Sequence, residues 1–169
     1  VYYNHRNTGR PARPVKTVET PTGTPLNPYD FSSKYMDIST LPLYSFGFGL
    51  SYTTFKYGDV KISSKEISKD DSLTVTCTVS NTGSVDGDEV VQLYIRDLFA
   101  SATRPVKELK AFSKIHLKAG QQQEVQFVLK AKDFAFYDAT NSFVVEPGVF
   151  HLWVAPNSQD GEKVEVRVK

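Results

Sequence analysis

From Tyr52 onward this 169-residue chain alternates apolar and polar residues with period two. Successive side chains of a strand point to opposite faces, so this period predicts half-buried β-strands. The clearest case sets Leu73, Val75, Cys77 and Val79 against Thr74, Thr76 and Thr78, ended by Asn81-Thr82-Gly83. Val91, Leu93 and Ile95 alternate with Gln92, Tyr94 and Arg96, and Val125, Phe127 and Leu129 repeat the pattern. Phe55, Tyr57, Val60 and Ile62 predict a first strand bent at Gly58. Phe112, Ile115 and Leu117 predict another, closed by Lys118-Ala119-Gly120. After the aromatic group Phe134, Phe136 and Tyr137 come Phe143 to Val145, then Phe150, Leu152 and Val154, and finally Val164, Val166 and Val168. Ser63 to Asp71 and Asp97 to Lys110 read as polar connections. The last alternation exposes charges, which would suit an edge strand.

Seven to nine short strands with turn chemistry between them, and no amphipathic helix, predict an all-β fold. Its form is an immunoglobulin-like or fibronectin type III-like β-sandwich of about seven strands. Residues 1 to 51 are expected to form an extended linker or strap and residues 52 to 169 the sandwich. Six of the nine prolines fall at or before Pro42. They fix φ and remove donors, so a long helix or central strand is excluded there. Yet Tyr2, Tyr3, Tyr29, Phe31, Tyr35 and Met36 are spaced along it, too many aromatics for an ordinary disordered tail. Val1 to Tyr3 reads as the end of a strand whose body lies upstream. Between strap and sandwich runs Pro42-Leu43-Tyr44-Ser45-Phe46-Gly47-Phe48-Gly49-Leu50-Ser51-Tyr52. So many aromatics need a surface to lie on. Tyr44, Phe46 and Phe48 are expected to divide between this chain and a neighbouring body, with at least one of them exposed.

The formal net charge is +1, so no basic excess is available to displace counterions from a nucleic acid. No apolar run approaches the length of a membrane span. The chain opens without a leader pattern and without Met, which reads as a piece of something longer. Cys77 is the single cysteine, expected to be a buried, inert thiol. His5, His116 and His151 lack zinc spacing, and the latter two sit on the outward phase of strands. Asp70-Asp71 and Asp86-Asp88-Glu89 fall where turns are predicted, without the spacing of a calcium loop. Glu108, Asp138 and Glu146 qualify for glycosidic acid–base work only as carboxylates. No catalytic residue, metal ligand or cofactor is assigned. Trp153 falls on the outward phase, where it would pack under a loop, dock on a neighbouring domain or stack on a sugar ring.

Several motifs together carry a resemblance. Tyr2-Tyr3-Asn4-His5-Arg6-Asn7-Thr8-Gly9-Arg10-Pro11 resembles the end of the second domain of glycoside hydrolase family 3 β-glucosidases. Pro42 to Phe55 resembles the approach to their C-terminal fibronectin type III-like domain, with Ser45 where a Pro is common. Asn81-Thr82-Gly83, Arg104-Pro105-Val106-Lys107-Glu108-Leu109-Lys110-Ala111-Phe112 and Glu146-Pro147-Gly148-Val149-Phe150 fit the same domain, with Ala111 where a Gly is common. The resemblance covers essentially the whole chain and is nearest to the periplasmic bacterial type. It implies retaining, exo-acting enzymes whose nucleophile and acid/base lie upstream, so no catalytic residue transfers to this chain. The implied role is a non-catalytic accessory domain in a periplasmic or secreted enzyme that cleaves β-linked glucosides or oligosaccharides. Such a domain would buttress upstream catalytic domains of the same polypeptide and shape outer sugar subsites or a homodimer contact. His5 and Arg10 are the strap residues expected nearest substrate. Tyr44, Phe46, Phe48 and Trp153 are the residues expected at the domain contact. A carbohydrate-binding module and a protein-interaction module are the alternatives.

Overall fold

The computed structural model describes residues 42–68 and 70–169. His5, Arg10 and the Val1-Tyr2-Tyr3 strand end lie outside the described residues. Among the described residues eleven strands form, in chain order: β1 (Phe55–Tyr57), β2 (Lys61–Ile62), β3 (Glu66–Ile67), β4 (Ser72–Asn81), β5 (Gly87–Asp97), β6 (Glu108–Leu117), β7 (Gln122–Lys130), β8 (Phe136–Tyr137), β9 (Phe143–Val144), β10 (Gly148–Ala155) and β11 (Val164–Val168). The one helical element among the described residues is a 3-10 turn, Ala131–Phe134.

Two sheets pack face to face. In the first, β4 has β7 along one edge and both β1 and β2 along the other. The second runs β3-β11-β10-β5-β6. β8 and β9 pair only with each other, as a separate hairpin. The inward residues are those the alternation predicted. Leu73, Val75, Cys77 and Val79 meet Val91, Leu93, Leu152, Val154 and Val166, all buried in one cluster. Truncating any of the leucines to alanine would cost about 2–5 kcal/mol, so this layer dominates stability.

Three details depart from the periodicity. The first predicted strand is two strands broken at Gly58, whose N–H donates to the Thr78 carbonyl at 2.8 Å and keeps the chain on the β4 edge. The Ser63 to Asp71 connection contains β3, which places Ile67 in the core and pairs parallel to β11. β11 is therefore an interior strand between β3 and β10, and its alternating charges do not guard an edge. β3 is too short for any period to reveal it.

Candidate functional site

The second sheet has a third layer. On β5, Val91 to Ile95 are buried without interruption, so both faces of that strand are covered. Its inner face meets the first sheet. Its outer face, carrying Gln92 and Tyr94, is covered by Phe46 and Gly47 and by the loop after β10. Sequence periodicity placed Gln92 and Tyr94 on the polar phase of the strand, and the structure buries them at 5% and 0% exposure. A buried polar group must find partners or pay for its lost hydration. These two find theirs in the aromatic ribbon.

The Gln92 side-chain amide donates to the Gly47 carbonyl at 3.1 Å and to the Pro156 carbonyl. Its Oε1 accepts from the Tyr94 hydroxyl at 2.5 Å, and that hydroxyl also lies 3.5 Å from the Phe46 carbonyl. Burial pushes the Tyr94 phenol up to about 12. From the loop after β10, the Ser158 N–H donates to the Phe46 carbonyl at 2.9 Å. The ribbon turns here: the Phe48 N–H donates to the Ser45 carbonyl at 3.0 Å, with Gly47 at φ +81. That φ is what the third position of a type II turn requires. A Cβ on Gly47 would land on Gln92 Oε1 and 2.7 Å from Tyr94 Oη. Only glycine fits both the angle and the space.

The ribbon thus gives its main chain to the sandwich and turns its side chains away. Tyr44, Phe46 and Phe48 are 62%, 41% and 45% exposed, and Leu43, Leu50 and Tyr52 are exposed as well. The Tyr44 and Phe48 rings sit 5.1 Å apart. Beside them, Val90 and Phe112 project from the outer face of β5 and β6. Phe112 is 68% exposed, on the face opposite Ile115 and Leu117. Of these residues, Phe46, Phe48, Leu50, Val90 and Phe112 border a groove of about 630 Å³. Isolated apolar residues on a surface need no explanation, whereas a contiguous group of this kind marks an interaction site.

Trp153 lies on the outer face but is 9% exposed. The Lys107 ammonium stands 4.5 Å from its ring centroid, and His151 meets its edge at 5.8 Å. The tryptophan therefore packs under its own domain's loop. Lys107 also donates to the Asp160 carbonyl at 3.1 Å, which ties the β5–β6 loop to the loop bearing Ser158. Burial pulls the Lys107 ammonium down to about 8, with the Asp160 carboxylate acting in the opposite direction. His116 is exposed as expected and pairs with Asp88 at 2.7 Å. His151, expected to face solvent, is largely covered, its side chain 12% exposed. Burial lowers its pKa further than Glu165, 3.7 Å away, restores it.

The acidic residues are accounted for structurally. Asp88 and Glu89 sit on β5, since the strand begins before them, while Asp86 accepts from the Ala119 N–H as a turn residue. Glu108 is clasped by Arg104 and Lys110 at 2.7 and 2.6 Å. Asp138 ties its own turn, and those hydrogen bonds hold its carboxyl below the usual range. Glu146 accepts from the Ser101 N–H. Cys77 is buried, its thiol on the Gly58 carbonyl at 3.3 Å and its pKa raised by burial. Among the described residues no group of three His, Cys, Asp or Glu is placed to hold a metal, and no helix is long and apolar enough to cross a membrane.

The fold and the lead-in ribbon now have counterparts. A family model described as the fibronectin type III-like domain matches residues 89–158. The periplasmic β-glucosidase of Salmonella typhimurium is 40% identical over 158 residues, covering 94% of this chain and 19% of that protein. The chain belongs to the fibronectin type III-like domains of glycoside hydrolase family 3. A β-xylosidase of Formosa agariphila is 42% identical over 160 residues, 92% of this chain and 21% of that protein. The crystal structure of a β-glucosidase from Listeria innocua in complex with glucose superposes with a TM-score of 0.81 at 41% identity, over 99% of this chain and 22% of that one. The fibronectin type III-like chain thus spans about a fifth of the length of the relatives it matches, at their C-terminal part.

Proposed function

We propose that the chain is a non-catalytic accessory domain of a β-glucosidase-type hydrolase and that it buttresses the catalytic domains upstream in the same polypeptide. One observation carries the reading. The ribbon commits its main chain to the sandwich and leaves Tyr44, Phe46 and Phe48 open to a second body. On this reading residues 1–51 are the strap, whose last few residues already lie on the sandwich, and 52–169 the domain. The substrate of the whole enzyme is a β-linked glucoside or oligosaccharide, and its compartment is periplasmic or secreted, as the name of the Salmonella relative suggests. The β-xylosidase among the relatives leaves the sugar itself open.

The test is a pair of assays. The purified chain should show no turnover of nitrophenyl β-glucoside, and the full-length hydrolase should lose thermal stability when Phe46 and Phe48 are changed to serine. Turnover by the chain alone, or an unmoved melting midpoint, defeats the reading. For the strap, His5→Ala and Arg10→Ala in the full-length enzyme should raise KM for oligosaccharides, and unchanged kinetics removes those residues from the substrate's vicinity. A carbohydrate-binding module needs an open aromatic platform, and Trp153, the candidate the sequence singled out, is covered by Lys107. Sedimentation of the full-length enzyme with and without residues 52–169 decides whether the domain also builds a dimer.

A further inference from the structure

The sheet edges are not equally guarded. β6 meets β5 through a register shift at Leu93 and Tyr94 that leaves Lys110 as an extra residue, and it carries Lys114 and His116 on its exposed face. The β1 and β2 side of the first sheet is broken at Gly58 into two short strands, and β3 is two residues long. Bulges, charges and short strands are what keep an edge from pairing with another chain. β7 lacks these devices along its middle. Its nine residues keep an unbroken register with β4, from Gln122 opposite Ser80 to Lys130 opposite Ser72. It has no proline, and Glu124 and Lys130 are its only charges.

The open main-chain groups of this edge can be named. Those of a strand point alternately to its two sides. The Thr78 carbonyl accepts from Gly58 and the Thr74 carbonyl from Ser63, so the even-numbered residues of β4 bond towards β1 and β2. The odd-numbered ones therefore bond towards β7, where Val75 faces Phe127 and Cys77 faces Val125. In β7 the odd positions thus spend their N–H and C=O on β4, and Glu124, Gln126 and Val128 point theirs away from it. The side chains of those three residues are exposed as well. At the end of the strand the Lys130 N–H is already taken by Asp133 Oδ2 at 2.7 Å. Among the described residues no strand pairs with that side of β7.

We infer that this edge pairs antiparallel with β7 of a second copy, joining the first sheets of two hydrolase chains across a two-fold axis through Phe127. Such pairing is isologous, so the strand must complement itself. With the axis at Phe127, Glu124 opposes Lys130 of the second copy, and Gln126 opposes Val128. By symmetry each contact occurs twice, and both charges of the strand meet an opposite one. An axis through Val125 or Gln126 would set both charges against neutral residues, so charge complementarity selects the register. The inference goes beyond the accessory-domain reading and uses a different surface, since β7 edges the first sheet and the ribbon lies on the second.

Sedimentation of the full-length hydrolase at micromolar concentration tests it, and a dimer is expected. Glu124→Lys and Lys130→Glu alter exposed side chains and should each raise the dimer Kd about tenfold, because symmetry brings like charges together twice. The double variant, Glu124→Lys with Lys130→Glu, should return to the parent value. Amides of residues 122–130 should exchange more slowly in the dimer than after dilution to monomer. A monomeric parent, a dimer indifferent to the single changes, or a double variant no tighter than the singles overturns the inference. None of these outcomes touches the docking reading, whose failure shows in the melting midpoint of the Phe46 and Phe48 variants.

Discussion

The side chain of Gln92 and the backbone of Gly47 form a matched pair: the amide donates to the carbonyl at 3.1 Å, and the space a Cβ would need is filled by the same side chain. Gly47→Ala should therefore carry two penalties. A left-handed φ costs an L-residue about 1–2 kcal/mol, and the clash with Gln92 adds to it. The expected outcome is faster hydrogen exchange at the Phe48 amide, with the β4 and β7 amides still protected. Unchanged exchange at Phe48 would show that the turn does not depend on the glycine.

Gln92→Leu should cost more than Tyr94→Phe. The leucine strands two carbonyls and a hydroxyl, and each buried unsatisfied group costs about 1–3 kcal/mol. The phenylalanine removes the hydroxyl itself, so it strands only Gln92 Oε1. Urea unfolding of the two variants gives the order directly. Equal midpoints would mean that water takes over the lost bonds.

The inter-sheet core could be read from period two because inward residues of a strand repeat locally, as Leu73 to Val79 do. The outer layer could not. Whether Gln92 is solvated or buried depends on Phe46, Gly47 and the loop from Pro156 to Ser158, and no period links those segments to β5. Phe112 shows the same limit in reverse: an apolar residue within a strand sequence belonged to the open face. Trp153 was legible in phase but not in environment, since its cover comes from Lys107 on another loop. The one local clue to the contact of the ribbon with Gln92 and Tyr94 was Gly47 among aromatics, where a turn was the natural inference and its partner was not.

Glu89 links the two sheets, accepting from the Tyr57 hydroxyl at 2.7 Å. Burial raises the Glu89 carboxyl above its ordinary value, more than the hydrogen bond lowers it, and the Tyr57 phenol is also raised, chiefly by burial. A raised carboxyl binds its proton more tightly in the folded state. Its contribution is complete below the ordinary glutamate range and is lost as pH rises through the elevated folded value. Glu89→Gln keeps an acceptor for Tyr57 without a charge to bury. The variant should gain on the parent protein as pH is raised from 4 to 8 in urea titrations, and a constant difference would contradict the assignment.

Lys107 gives the opposite slope. With its ammonium pulled down to about 8 from 10.5, the unfolded chain holds a proton that the folded one has released between those values. Stability from this group therefore rises as pH climbs from 8 towards 10.5. Lys107→Met removes that slope and leaves the tyrosine contributions in place, so comparing the two proteins isolates it. Parallel pH profiles over this window would place the lysine in water.

The hydrogen bond from Ser158 to Phe46 joins the start of the described chain to the loop beyond β10. Contacts so distant in sequence form late, because loop closure must be paid before they reward it. The ribbon can settle only once β5 and β10 are paired. Until then the aromatic face has no fixed shape to offer. The order of folding thus makes the sandwich a timer, in which the surface that faces the rest of the enzyme appears only after the domain behind it is finished.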